Sequence, residues 1–390
     1  MPIRSLTVLV ALAFLVVSCV PHLRGTVERD RLHAIVDRDA ILFEPAAIPE
    51  AMIDRLAGHR VVIVGEYHGI THHGAFVGEL AAALRPHGFG LVLLEFPQVE
   101  SWLLDAYVRG AFDTLLPGAQ RTYGDLLERI RAANAQLPSA ERIRVAAIDV
   151  NPSVEAFLPA FRGLLHQIGL PEPLTRLVAT LEAGGDAAAA VAAAQAEVAA
   201  NADAYRSAWG EPFYQAVTDA LDGEARSAAV RRERGAARDR AREAAMHAMV
   251  DRQLASTSGA AVVNVGWYHA QKRRADGTVD VWLAERLLTE SAHDAFALAV
   301  APAKGEMVIR GRQRSFDVAE ESPANELLRV MQEAAGGAVA FLALDDPLFA
   351  EERVVVNYHP QVRGEPPAEV FDGFVLRRVI DKTALPIKGA

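Results

Sequence analysis

Six short apolar runs constrain this chain more than any other feature. They are Val61–Val64, Gly90–Glu95, Ile143–Asp149, Ala260–Val265, Ala295–Val300 and Ala338–Leu344. Most are continuous rather than alternating, as expected of strands buried on both faces inside a parallel or mixed sheet. The segments between the early runs carry helical spacing. A helix over His73–Leu84 would place Phe76, Val77, Leu80 and Leu84 on one face, with Thr71 as its N-cap. A helix over Tyr123–Ala135 would align Leu126, Leu127 and Ile130 before the turn-like Pro138-Ser139. This alternation predicts an α/β fold: a mixed, mostly parallel central sheet flanked by helices.

The chain has 390 residues, 51% of them hydrophobic and 23% charged, which suits one large folded domain with a substantial core. Its net charge of -10 argues against sequence-independent nucleic-acid binding, which needs a basic surface. Between about 171 and 235 the composition turns to Ala-rich helical sequence, as in Ala187–Ala190 and Ala192–Ala194. This stretch reads as a helical insertion in a single domain spanning 31–390, acting as a cap or as a plain surface appendage. The arginines that follow (Arg231 to Arg242) are interleaved with acids and read as a solvated face. Asp239 and Arg242 share a stripe with Met246, Met249 and Val250 and could turn inward.

The N-terminus has its own logic. Arg4 precedes a dozen-residue apolar run, Leu6–Val17, of signal-peptide length and too short to span a bilayer. It closes on Val17-Ser18-Cys19, and Cys19 is the single cysteine. This resembles a bacterial lipoprotein signal. The expectation is a signal peptide over 1–18, an acylated (palmitate-bearing) Cys19 and a tether over 19–30. The partner on that side would be a membrane. By analogy with lipoprotein sorting, Val20 gives no inner-membrane retention signal, so an outer-membrane lipoprotein facing the periplasm is expected.

Polar groups collect at the ends of four of the predicted strands, where open α/β sheets bind ligands. The first is followed by Glu66, His68, His72 and His73; the second ends at Glu95, the third at Asp149, and the fourth runs into Gly266-Trp267-Tyr268-His269. Glu66, His68, Glu95 and His269 are expected to line one pocket for a small-molecule ligand or substrate. His72 and His73 could belong to it or simply open a helix. Asp149 could join the site or cap a helix.

These motifs resemble the superfamily that joins erythromycin esterases, Tiki/TraB-type proteins and ChaN-like haem-uptake lipoproteins. Gly65-Glu66-Tyr67-His68 and Gly266-Trp267-Tyr268-His269 match its two histidine motifs. Leu94-Glu95, Ala106–Gly110, Arg131–Asn134, Arg144–Asp149 and Arg238-Asp239 resemble esterase segments, and Phe371–Val375 resembles the family's closing strand. The glutamate-to-histidine spacing departs from the esterase pattern and follows the Tiki/ChaN form. The esterases' downstream arginine has no counterpart before Arg85.

The residues and the resemblance together imply a hydrolase that activates water. In that reading His68 is the general base and Glu66 orients it, while Arg131 or His269 stabilises the oxyanion. Glu95 holds the second histidine or donates a proton. A metal form would use Glu66, His68, Glu95 and His269 as ligands for zinc or manganese, as a Tiki-like peptidase would. The rival is a ChaN-like carrier without catalysis, in which Tyr268 and His269 would hold haem iron.

Overall fold

The computed structural model describes residues 29–44, 47–67, 71–273, 281–309, 312–317, 326–351 and 366–377. The expected signal, Cys19 and tether, together with His68, therefore lie outside the described residues, apart from Arg29 and Asp30.

The strands in chain order are β1 (Ile41–Phe43), β2 (Val61–Glu66), β3 (Phe89–Pro97), β4 (Arg144–Asp149), β5 (Ala260–Gly266), β6 (Ala295–Pro302), β7 (Lys304–Ile309), β8 (Arg312–Asp317), β9 (Val339–Ala343) and β10 (Gly373–Arg377). Eight of them form one sheet in the order β1-β9-β10-β6-β2-β5-β3-β4, and β7 and β8 pair as a separate antiparallel hairpin. From β10 to β4 every pairing is parallel; β9 runs antiparallel to β10 and β1 antiparallel to β9. The sheet is mixed and mostly parallel, as the apolar runs required. All six runs are strands. No apolar run marks β1, which is only three residues long, or the largely polar β8.

Helices cover both faces. Those before the fourth strand are α1 (Arg29–Asp39), α2 (Glu50–Ala57), α3 (Thr71–Leu84), α4 (Ser101–Val108) and α5 (Pro117–Asn134). After it come α6 (Val154–Gln167), α7 (Glu172–Glu182), α8 (Ala187–Ala200), α9 (Ala202–Trp209), α10 (Glu211–Arg232), α11 (Gly235–Ala255), α12 (Leu283–Thr289) and α13 (Glu326–Ala335). Side chains of β2 alternate between the two layers. Val61 and Ile63 pack with α1, α11, α12 and α13, whereas Val62 and Val64 pack with α2, α3 and α5. Both layers are apolar, so the strand is apolar throughout. α5 begins six residues before the expected Tyr123 because Pro117 supplies a pre-set φ at the first helical turn.

Helices α6 to α10 bury a third apolar cluster of their own, with Phe157, Phe161, Leu177, Val191 and Val217 in it. Val99, just after β3, joins that cluster and ties the helical lobe to the sheet.

Among the described residues β4 has a neighbouring strand on one side only, and side chains satisfy its backbone on the other. Asn134 pairs with both polar groups of Ile143 (2.7 and 2.9 Å), and Asp105 Oδ1 accepts from Val145 N (3.1 Å). Ser101 Oγ accepts from Ala147 N and donates to its carbonyl. Such an edge would otherwise invite pairing with another chain.

Candidate active site

The sheet register places the ends of four adjacent strands side by side. Glu66 of β2 lies opposite Gly266 of β5. β3 follows on the far side of β5, and Pro97, two residues beyond Glu95, pairs with Asp149 of β4. Between Leu94 and Pro97 the register of β3 slips against β4. Irregularities of this kind re-aim side chains at the ends of strands. Here Glu95 turns back over β5, and its Oε2 accepts from Gly266 N at 2.6 Å.

The turn after β5 is held just as firmly. Trp267 N donates to Glu66 O (2.9 Å), and His269 N donates to Gly266 O (3.0 Å). A Cβ at Gly65 would come within 2.7 Å of Ala270 Cβ, so only glycine lets this turn lie against β2.

α11 supplies the residues that bind the strand ends together. Arg242 Nε and Nη2 form a bidentate pair with Asp149 (2.8 and 2.7 Å), and Nη2 also reaches Glu95 Oε1 at 2.5 Å. His269 Nε2 lies 3.3 Å from Glu95 Oε1 and 3.3 Å from Arg242 Nη1. On the other side of the ring, Glu243 Oε1 is 2.7 Å from Nδ1, an ion pair out of line for a well-formed hydrogen bond. The second Glu243 oxygen accepts from Leu283 N at 2.9 Å. Two cations thus sit among three carboxylates.

Burial alone would push the His269 imidazole toward its neutral form. The charges of Glu95 and Glu243 outweigh it and raise the pKa to about 10. His269 is therefore held toward its imidazolium form, with Nε2 in ion-pair range of Glu95 Oε1, the oxygen that also accepts from Arg242 Nη2. Arg242 is likewise held firmly protonated, with burial overcome by Asp149 and Glu95. Tyr123 is fully buried and its hydroxyl donates to Glu95 O at 3.2 Å. Burial first, then the charges of Glu66, Glu95 and Asp149, raise its pKa well above the usual tyrosine value. All three carboxylates therefore bear on one hydroxyl.

Most of the cluster is shielded, and Arg242 is its accessible part, with 30% of its side chain exposed. Tyr268 forms the rim at 38% exposure and stacks on buried Trp282 (5.6 Å, 13°), whose ring also meets His269 edge-on.

Glu66, Glu95, Asp149 and His269 are thus brought to one place. His73 is fully buried in α3, and His72 lies in the first turn of the same helix. Arg131 is a correction. Its guanidinium donates to Tyr107 O and Phe112 O, pairs with Asp113 and lies over the Tyr107 ring. On α5 it is eight residues beyond Tyr123, about 12 Å along the axis, toward the opposite end of β4. Arg131 and Asn134 hold carbonyls between elements, and Arg242 takes the cationic place at the strand ends.

Of the expected metal set, Glu66, Glu95 and His269 lie among the described residues and His68 does not. Arg242 occupies the space between Glu95, Asp149 and His269. Among the described residues, no three acids or histidines are grouped to hold a metal. Both nitrogens of His269 face carboxylates, Glu95 on one side and Glu243 on the other.

Sequence reasoning missed Glu243 and Tyr123 and left Arg242 undecided. The apolar stripe of α11 carried a signal for Arg242. Tyr123 looked like any core residue of an amphipathic helix.

No family model and no curated protein matches the sequence. Solved structures do. A protein from Bacillus cereus superposes with a TM-score of 0.67 at 15% identity, covering 92% of this chain and 98% of its own. The erythromycin esterase EreC in its open conformation gives 0.60 at 15% identity, covering 87% and 97%. ChaN of Campylobacter jejuni, described with cofacial haem, reaches only 0.33 at 13% identity over 68% of this chain and 92% of its own. The chain has the fold of the first two, and the resemblance seen in its motifs holds at the level of fold.

Proposed function

We propose that this protein is a hydrolase that cleaves an ester or related acyl bond with water activated at the ends of β2, β3 and β5. The carrying observation is the cationic pair of Arg242 and His269, pre-oriented by Glu95, Asp149 and Glu243 next to Glu66. Fixed positive charge of this kind stabilises the oxyanion that forms when water adds to a carbonyl.

In the proposed reaction His68, two residues beyond Glu66, accepts a proton from water as its oxygen bonds to the acyl carbon. Glu66 steadies the resulting imidazolium. The oxyanion is met by Arg242. As the tetrahedral intermediate collapses, His269 Nε2 gives its proton to the departing alkoxide, leaving an acid and an alcohol. The fold shared with an esterase supports the reading.

A panel of aryl esters, alkyl esters and lactones tests it. Turnover is expected for at least one class, with a loss of 100-fold or more in Glu66→Gln, the usual scale for disabling an acid–base pair. No turnover across the panel, together with a Soret shift on adding haemin, would replace the enzyme with a ligand carrier.

We also propose that the chain works at a membrane surface through an acylated Cys19. Radiolabelled fatty acid should enter the wild-type protein and not Cys19→Ala. Label retained by the variant would remove the anchor.

A further inference from the structure

One cavity lies away from the charge cluster. It has a volume of about 720 Å³ and lies along the outer edge of β4, between α4, the start of α10 and the end of α11. That volume falls within the 300–1,000 Å³ usual for small-molecule sites. Glu66, Glu95, Asp149, Arg242 and His269 do not line it. It meets β4 at Arg144, Val145 and Ala146, toward the opposite end of the strand from Asp149.

Its walls are of two kinds. One is aromatic: Trp102 is fixed by its Nε1 donating to Ala160 O (3.2 Å) and meets Phe112 edge-on at 5.8 Å, with Phe213 contributed by α10. The other is cationic. The acids that line the cavity are already committed: Asp219 to Arg252 (2.5 Å), Glu211 to Arg206 (3.3 Å), and Asp105 to Val145 N and Arg109. Two lining arginines, Arg142 and Arg144, form no salt bridge among the described residues, although Arg144 lies in the field of Asp105. Among the described residues Arg142 is held by carbonyls, those of Arg109 (2.6 Å) and Leu137 (3.4 Å). Arg144 is exposed and makes no salt bridge among the described residues. A carbonyl-anchored guanidinium keeps its full charge and a fixed orientation, which suits it to pairing with a planar or tetrahedral anion.

We infer that this cavity is a second ligand site, for an amphiphilic anion: an aromatic or otherwise apolar body against Trp102, Phe112 and Phe213, with a carboxylate, sulfonate or phosphate on Arg142 and Arg144. The site is independent of the proposed hydrolysis.

Isothermal titration of the full chain with 2-naphthalenesulfonate, and with the neutral 2-naphthalenesulfonamide of nearly the same shape, tests it. The sulfonate should bind at one site at least tenfold more tightly than the sulfonamide. Arg144→Glu alters an exposed side chain and should erase that difference while leaving the weak sulfonamide binding intact. Trp102→Ala should weaken both. Equal affinity of the two probes, an unchanged sulfonate affinity in Arg144→Glu, or no sulfonate binding would overturn the assignment.

Discussion

Arg242→Met should destabilise the protein by about 3–5 kcal/mol, the cost of breaking a buried ionic cluster from one side. The guanidinium is the shared partner of Asp149 and Glu95, whose side chains are 16% and 6% exposed. Its removal leaves two carboxylates facing each other with only His269 to offset them. Methionine keeps the apolar stem packed, so the loss reads the charge rather than a cavity. A urea midpoint that falls with an unchanged slope would report this. Activity should fall more steeply than stability, by 100-fold or more under conditions where the variant is still folded, because the same cation meets the oxyanion. A variant as stable as wild type would show that Arg242 is not the counter-charge of the strand ends.

His269→Asn should have an effect of similar size on turnover, with a distinctive pH signature. In the proposed reaction the wild-type rate should rise with pH as the base gives up its proton, and fall as His269 loses its own near pH 10. The variant should lose the upper limb of that bell and about 100- to 1,000-fold in kcat. Stability follows the same group. Its folded pKa lies above the ordinary histidine value, so its stabilisation is complete below about pH 6.5 and disappears as pH rises through about 10. Wild-type stability should therefore decline across that window more than that of His269→Asn. An imidazole resonance of His269 that titrates near 6.5 by NMR would refute the charged form and both consequences with it.

The site was only partly legible beforehand. Glu66, Glu95 and His269 each follow a buried strand, and a polar group at that place in an α/β sheet points to the ligand-binding edge. The esterase-like segment holding Arg131 and Asn134 was read as part of the chemistry. In the structure Asn134 satisfies Ile143 and Arg131 clamps the chain after α4, so that motif is architectural. The metal and haem options stayed open in the sequence because residue type alone does not say which atoms face which. The structure adds that Glu95 and Glu243 stand on either side of the His269 ring.

Strand positions, the α/β class and the strand-end location of the site are encoded locally. Continuous apolar runs have to be covered on both faces, and the sheet that results puts its polar punctuation at the strand ends. Three things were settled only by tertiary structure: the insertion of β5 between β2 and β3, the approach of α11 across those ends, and the slip in β3 that turns Glu95 onto Gly266. Arg242 and Glu243 are far in sequence from Glu95 and Asp149, and no periodicity links them. Only packing brings these charges together. The charge state of His269 then follows from its neighbours, with the field of two carboxylates outweighing the cost of burial.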